Sequence, residues 1–346
     1  MSEGNDLGMR RPPLRVTISD VAAEAGVSRA TATRALKGEG RFAEETRERI
    51  LAISARLGYV PNTMAAELAA GRTGTVGLLL RDAGNPASGL LFSRLQEEAH
   101  GRRMDLVTTT IGADTAGEKQ VGALQRLLGM RVAGLIVATG GVTSEQLAPF
   151  ADEVPIIRAG RPETGDRIHA VSYDERRHGE LLADHVIQLG HRRVAVTDTD
   201  SSASFPEHVR ATAMLQRLRA AGADVVAVPV GPAADDGVAD IIRMVGDSGI
   251  TAVLASSDYR QLALLRAARA AGIDVPGHLS VTGCDGILPG GDLLGLTSVR
   301  IPVEPVARAA VESMARLLTG ELTSTVVRET FVGSLVVGNT TAPPRV

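Results

Sequence analysis

The sequence predicts two structures in one chain: a small all-α headpiece carrying a helix-turn-helix, followed by a larger two-lobed α/β domain. Three observations predict it. Residues 17–57 hold three short helical patterns with cap residues and glycine stops, and no strand pattern among them. From Thr75 onward, apolar strand candidates alternate with helices, the arrangement of parallel sheets covered on both faces. The strand candidates are too many for one comfortable doubly wound lobe, so two sheets are expected.

The headpiece opens at Thr17, a cap residue with Asp20 three positions on, which makes a capping-box pattern and sets a carboxylate at the positive helix end. Val21, Ala22 and Ala25 recur at helical spacing and form a small apolar face. Gly26 supplies the corner, because a residue without Cβ takes left-handed backbone freely. Ser28 then caps a second helix that runs to Lys37 and stops at Gly38. Ala32, Ala35 and Leu36 face inward, leaving Arg29, Ala30, Thr33 and Arg34 outside. That outer face suits a DNA major groove: arginines bond guanine edges bidentately, and hydroxyls hold phosphates.

A third helix follows over Glu44–Leu57 and ends at Gly58. Ala43 stands at its cap position, a loss of about 1 kcal/mol against Ser or Thr, partly offset by Glu44 and Glu45 in the first turn. The polar stretch 1–15 reads as a disordered arm, 16–61 as the helix-turn-helix domain and 62–73 as a hinge helix and linker. The remainder, 74–346, reads as the two-lobed α/β domain. Its strand candidates are Thr75–Leu80, Asp105–Thr110, Gly134–Ala138, Pro155–Ala159, Arg193–Thr197, Val225–Val230, Ala252–Ala255 and Ser280–Gly283. Between them fall helices over Ser88–Arg102, Glu118–Met130, Glu175–Leu189, His208–Ala221, Asp258–Ala271 and Glu304–Leu318.

Composition bounds the function. With 346 residues, 44% hydrophobic and 22% charged, the chain has room for a headpiece and a bilobal domain. The net charge of −3 is uneven: residues 1–72 carry 11 Lys/Arg against 9 Asp/Glu, a net of +2, which leaves −5 for the rest. That fits a local DNA contact on an otherwise acidic protein. The single cysteine, Cys284, excludes an internal disulfide and any cysteine-cluster metal site, and its strand-end context points to packing. The histidines show no metal-ligand spacing, so neither metal nor cofactor is expected. No dinucleotide fingerprint, phosphate loop or nucleophile elbow appears, and the chain is not expected to be an enzyme. Met1–Arg11 lacks the apolar core of a signal peptide, and no apolar run approaches the roughly 18 residues of a membrane helix. A cytoplasmic protein, on the nucleoid when bound to DNA, is expected.

The run Thr17–Arg72 resembles the DNA-binding headpiece and hinge of the lactose-repressor (LacI/GalR) family of bacterial transcription factors. The resemblance rests on T-I-S-D-V-A-x-x-A-G-V-S from Thr17, E-T-R-E-R-I from Glu45, L-G-Y-x-P-N from Leu57, and A-x-x-L before G-R-T-G. It continues through Gly84-Asn-Pro86, Arg131-Val-Ala-Gly-Leu-Ile136, Leu189-Gly-His-Arg-Arg193, Ser257-Asp258 and Gly272–Pro276, which look like the family's periplasmic-binding-protein-like sensor. By analogy 74–346 is the effector-binding and dimerisation domain, in which lobe 1 holds about 75–190 and 301–325, and lobe 2 about 191–300 and 326–346.

The resemblance implies a regulator, most simply a repressor, that binds a palindromic double-stranded DNA operator as a homodimer under control of a small-molecule effector. Arg29 and Ala30 match the base-choosing positions, Arg34 a guanine reader, and Thr17, Ser28, Thr31 and Thr33 supporting contacts. Asn62 begins a hinge too short to be stable alone, and Leu68 matches the leucine wedged into the minor groove. Effector contacts implied by position are Asn85, Arg161, Phe205, Arg210, Ser257, Asp258 and Asp285. A sugar or sugar derivative is the family's habit, but Asn85-Pro-Ala-Ser departs from its usual pair of aromatics, and the chain holds only five Phe, three Tyr and no Trp. The absence of a heptad tail favours a dimer over a tetramer. Two alternatives stay open: a regulator blind to small molecules, and a solute-binding protein of the same two-lobed fold.

Overall fold

The computed structural model describes residues 16–40, 43–60, 74–111, 117–163, 165–231, 233–323 and 325–345. The chain divides into two compact units, Met1–Arg72 and Thr73–Val346. In the first, α1 (Ile18–Glu24), α2 (Arg29–Lys37) and α3 (Glu44–Leu57) close on a small core. Val21, Ala22, Ala25, Ala32, Ala35 and Ile50 are buried in it, with Val27, Leu36 and Tyr59 packed at its edge. Gly26 makes the corner at φ +65° and Gly38 ends α2 at φ +72°, backbone that an L side chain resists.

The second unit holds two six-stranded sheets. The first is built from β1 (Thr75–Leu80), β2 (Asp105–Thr110), β3 (Gly134–Ala138), β4 (Ile156–Ala159), β5 (His169–Tyr173) and β11 (Arg328–Phe331), in the order β11-β5-β4-β3-β1-β2. All its pairings are parallel. The second comprises β6 (Arg193–Thr199), β7 (Asp224–Val230), β8 (Ala252–Leu254), β9 (Ser280–Asp285), β10 (Thr297–Arg300) and β12 (Ser334–Val336). Its order is β12-β10-β9-β8-β6-β7, parallel except for β12. Pro229 is tolerated in β7 because that strand lies at a sheet edge.

Helices cover both faces of each sheet. α4 (Pro86–Gly101) and α11 (Val303–Leu318) lie on one face of the first, and α5 (Gly117–Gly129) and α6 (Ser144–Ala151) share the opposite core. On the second, α7 (Glu175–Gln188) and α8 (Phe205–Ala220) form one layer, and α9 (Val238–Ser248) and α10 (Asp258–Ala270) the other. One apolar core runs through both sheets' facing layers, from Leu78 and Leu95 to Val196 and Met214.

The lobe boundaries need two corrections. Residues 328–331 were expected in lobe 2, but β11 extends the first sheet by pairing with β5 from Arg328↔Ala170 to Phe331↔Tyr173. The helix over Glu175–Gln188 was expected in lobe 1, yet it packs on α8, β8, β10 and β12 of the second. The chain therefore passes between lobes at Asp174, at Ile301–Pro302 and at Val332–Gly333. Backbone bonds tie these crossings: Asp174 N donates to Phe331 O at 2.9 Å and Ile301 N to Asp285 O at 3.0 Å.

Candidate nucleic-acid interface and effector cleft

The helix-turn-helix is held by its own caps. Thr17 Oγ1 donates to Asp20 Oδ2 at 2.7 Å, and Thr17 N donates to the same oxygen at 2.8 Å. The two bonds hold the Asp20 carboxyl below the usual carboxylate range. Ser28 Oγ accepts from Thr31 N at 3.1 Å and lies 2.8 Å from Thr31 Oγ1, so these two hydroxyls start α2 together. Arg29, Ala30 and Arg34 are exposed on α2. Arg34 Nε reaches Ala30 O at 3.4 Å, laying its side chain back along the helix. Thr33 is half-buried and gives its hydroxyl to Arg29 O at 2.8 Å, so a phosphate would have to compete for it. Ala43 makes no side-chain cap bond, while Glu44 and Glu45 occupy the first turn of α3. Asn62 and Leu68 lie outside the described residues.

In the second unit a cavity of about 330 Å³ opens where the C-terminal ends of both sheets face each other. It is flanked by the switch points of strand order, between β1 and β3 in one sheet and β6 and β8 in the other. Arg81 and Asp82 follow β1, Thr139 and Gly140 follow β3, and Arg161 follows β4. Ser204, Glu207 and Arg210 come from the start of α8, Ser257 and Arg260 from that of α10, and Asp285 from the end of β9.

Arg210 organises the floor. Only 4% exposed, it binds Glu175 through Nε to Oε2 and through Nη2 to Oε1 at 3.0 Å. Its Nη1 donates to Ser256 O at 2.8 Å and to Asp285 Oδ1 at 3.2 Å. Burial alone would raise Glu175, but Arg210 and His178 hold it below the usual range. Asp285 goes the other way: burial and the neighbouring carboxylates push it well up, against the pull of Arg210. His178 Nδ1 faces Glu175 at 3.1 Å while its Nε2 accepts from Gly333 N at 2.8 Å, tying the network to a lobe crossing.

Of the effector residues read from the sequence, Asn85, Arg161, Arg210, Ser257 and Asp285 line this cavity. Asn85 is also the cap of α4, its Oδ1 accepting from Ala87 N at 3.0 Å and Ser88 N at 3.2 Å, which leaves its amide nitrogen for a ligand. Two residues are placed differently. Asp258 touches only a side recess: its carboxylate accepts from Ser298 Oγ at 2.5 Å and Gly286 N at 2.7 Å, and so holds the turn after β9. Phe205 is not in the cavity lining, and the Arg161 guanidinium lies over one face of its ring, 4.2 Å from the centroid.

Sequence reasoning missed Arg81, Tyr173, Glu175, Glu207 and Arg260. Arg81 and Tyr173 stand at strand C-termini, where the open-sheet rule would have looked. Glu207 and Arg260 are a cross-helix pair at 2.8 Å that only the fold assembles. Among the described residues no group of His, Cys, Asp and Glu could hold a metal ion, and no helix is long and apolar enough to cross a membrane.

Comparison with known proteins extends this picture. Residues 17–62 match the family model of bacterial regulatory proteins, lacI family, and residues 183–341 that of a periplasmic binding protein-like domain. The HTH-type transcriptional regulator PtxS of Pseudomonas plecoglossicida is 32% identical over 314 residues, which covers 88% of this chain and 90% of that protein. The maltose regulon regulatory protein MalI of Escherichia coli (strain K12) is 36% identical over 192 residues, 54% of this chain and 55% of MalI. Among solved structures, the lac repressor dimer bound to operator and the anti-inducer ONPF superposes with a TM-score of 0.81 at 23% identity, over 95% of this chain and 99% of that one. The complex of the transcriptional regulator CelR with cellobiose gives 0.67 at 27% identity, over 94% and 100%.

Proposed function

This chain belongs to the lacI family of bacterial regulatory proteins, and from that premise we propose that it represses transcription by binding a near-palindromic operator as a dimer, under control of a small molecule in its cleft. The observation that carries the reading is one chain presenting both an uncovered α2 face, with Arg29, Ala30 and Arg34 outward, and a charged cavity between two sheets. Each headpiece of the dimer would read one half-site in a major groove. Arg34 and Arg29 would bond base edges, Ala30 would allow close approach or a thymine methyl contact, and Thr17 and Thr31 would hold phosphates. Residues 62–73 would form the hinge, with Asn62 at its start and Leu68 wedging the central step.

Asn85, Arg161, Arg210, Ser257 and Asp285 would hold the effector. Their two lobes meet through three chain crossings, so a ligand that prefers one lobe angle shifts the balance of states; one that binds both angles equally shifts nothing. The cleft binds rather than catalyses. A regulator acting on the chromosome works in the cytoplasm.

The test is selection of bound sites from random duplexes by the full chain, read by sequencing. A short inverted repeat supports the reading; enrichment no better than for non-specific DNA, with and without a small-molecule cell extract, overturns it.

A further inference from the structure

The cleft holds four guanidiniums and four carboxylates, yet they do not neutralise each other evenly. Glu175 and Asp285 engage Arg210, and Glu207 engages Arg260 at 2.8 Å. Asp82 accepts from the backbone N of Gly84 at 2.9 Å. Arg260 also donates through Nη1 to Ala233 O and through Nη2 to Gly231 O. Arg81 and Arg161 are left without an ion pair among the described residues, although both are half-buried in the cavity wall.

These two side chains are positioned rather than loose. Arg81 Nη2 donates to Ala203 O at 3.2 Å, while Arg161 donates through Nη1 to Gly140 O and stacks on Phe205. Both come from the first sheet and both bear on the turn 203–205 that opens α8 in the second. Each keeps further N–H groups for something else. Burial, with Arg158 nearby, makes the cationic form of Arg161 harder to hold, and Glu163 offsets this only in part. A planar guanidinium stacked on an aromatic face is pre-oriented for a forked bond to an oxyanion. On the first sheet's side Tyr173 is 8% exposed and its hydroxyl finds no partner among the described residues; on the second sheet's side the Ser204 hydroxyl makes no cap bond. The second sheet's side adds acceptors suited to hydroxyls, Asp285 and Glu207, and the first sheet's side the amide nitrogen of Asn85.

We propose that the effector is a small polyol bearing an oxyanion, a carboxylate or a phosphate, which Arg81 and Arg161 bind together while the Asp285 side of the cleft takes its hydroxyls. The cavity of about 330 Å³ lies at the small end of ligand sites, which run from about 300 to 1,000 Å³, so the body is of single-ring size. The inference rests on the cleft being the effector site. The strongest orienting contacts are charged, and Phe205 at this turn holds a guanidinium, which leaves Tyr259, 41% exposed, as the open aromatic of the lining.

The experiment is thermal unfolding of the full chain at fixed ionic strength. Chloride is replaced first by inorganic phosphate or malonate; glucose, gluconate and glucose 6-phosphate are then compared at equal concentration. Phosphate or malonate should raise Tm over chloride, and gluconate or glucose 6-phosphate should raise it where glucose does not; which of the two acts identifies the anion. Arg81→Gln and Arg161→Gln should each weaken the apparent affinity for the acting anion by about tenfold. Arg243→Gln, a surface change on α9, should leave it unchanged. No shift with any anion, an equal shift with glucose, or a shift that survives both cleft variants overturns the proposal. A glucose shift abolished by Asp285→Asn would leave the cleft as effector site with the anion class wrong. Operator selection judges the regulator reading separately.

Discussion

Arg210 grips Glu175 by two hydrogen bonds, one at 3.0 Å, at the place where the chain first passes from the first sheet to the second. Glu175 is the first residue after the Asp174 crossing, and the His178 beside it accepts from Gly333 N just past the third. The pair thus belongs to both the cleft floor and the joint between lobes. Arg210→Ala would leave Glu175, 4% exposed, with a buried charge and one remaining side-chain partner. It should destabilise the second unit by about 3–5 kcal/mol, read by urea unfolding. A cost near zero would mean that the pair carries no such role.

Gly179 lets α7 and α8 approach closely. A Cβ there would stand 2.4 Å from Arg210 O and 3.0 Å from Ala213 Cβ, so Gly179→Ala must push the helices apart. We expect a loss of about 1–3 kcal/mol. Gly246→Ala in α9 meets nothing within 4 Å and should instead gain about 0.5–1 kcal/mol from helix propensity. Urea midpoints of the two variants should move in opposite directions.

Glu163 and Arg158 form a pair at 2.5 Å, 7% and 1% exposed, that locks the loops after β3 and β4 through Ser144 Oγ and Val142 O. Burial works against the Glu163 carboxylate, but Ser144, Gly165 N and Arg158 outweigh it and bring its pKa from 4.5 to about 2. A depressed carboxylate stabilises the fold fully above 4.5 and loses that contribution as pH falls towards 2. The contribution is about 3 kcal/mol. Acid titration of stability should show that loss in the native protein and not in Glu163→Gln; equal acid limbs would contradict it.

Ala43 leaves α3 without a side-chain cap. Ala43→Ser should add about 1 kcal/mol to the headpiece, measured as slower amide exchange along Glu44–Leu57 in the full chain. Unchanged exchange would show that Glu44 and Glu45 already supply what the cap would.

Where local chemistry decides structure, the chain was legible. The caps at Thr17 and Ser28, the stops at Gly38 and Gly58, and the eight apolar strands all follow from residue type and spacing. α9 (Val238–Ser248) was missed although it is amphipathic, with Val238 and Ile241 buried; the other elements that escaped are those made by context. β5, β10 and β11 mix polar residues into runs of four or five, and β12 is only Ser334–Val336, so pairing with the neighbouring strand is what marks them as strands. α6 escaped because Pro149 interrupts its pattern, although Thr143 and Gln146 form a capping box. The cleft was half legible: Arg161, Arg210 and Asp285 stand by strand ends or a helix start, whereas the occupation of Asp258 by Ser298 and of Phe205 by Arg161 arises from distant parts of the sequence.

The most direct measurement of the central claim is the affinity of the wild type and of Arg34→Ala for the selected operator and each of its single-base variants. If α2 reads sequence in a dimer, Arg34→Ala loses about 1–3 kcal/mol of discrimination at one base pair of each half-site, symmetrically, and keeps the rest. A loss spread evenly over all positions, or none, would contradict the account.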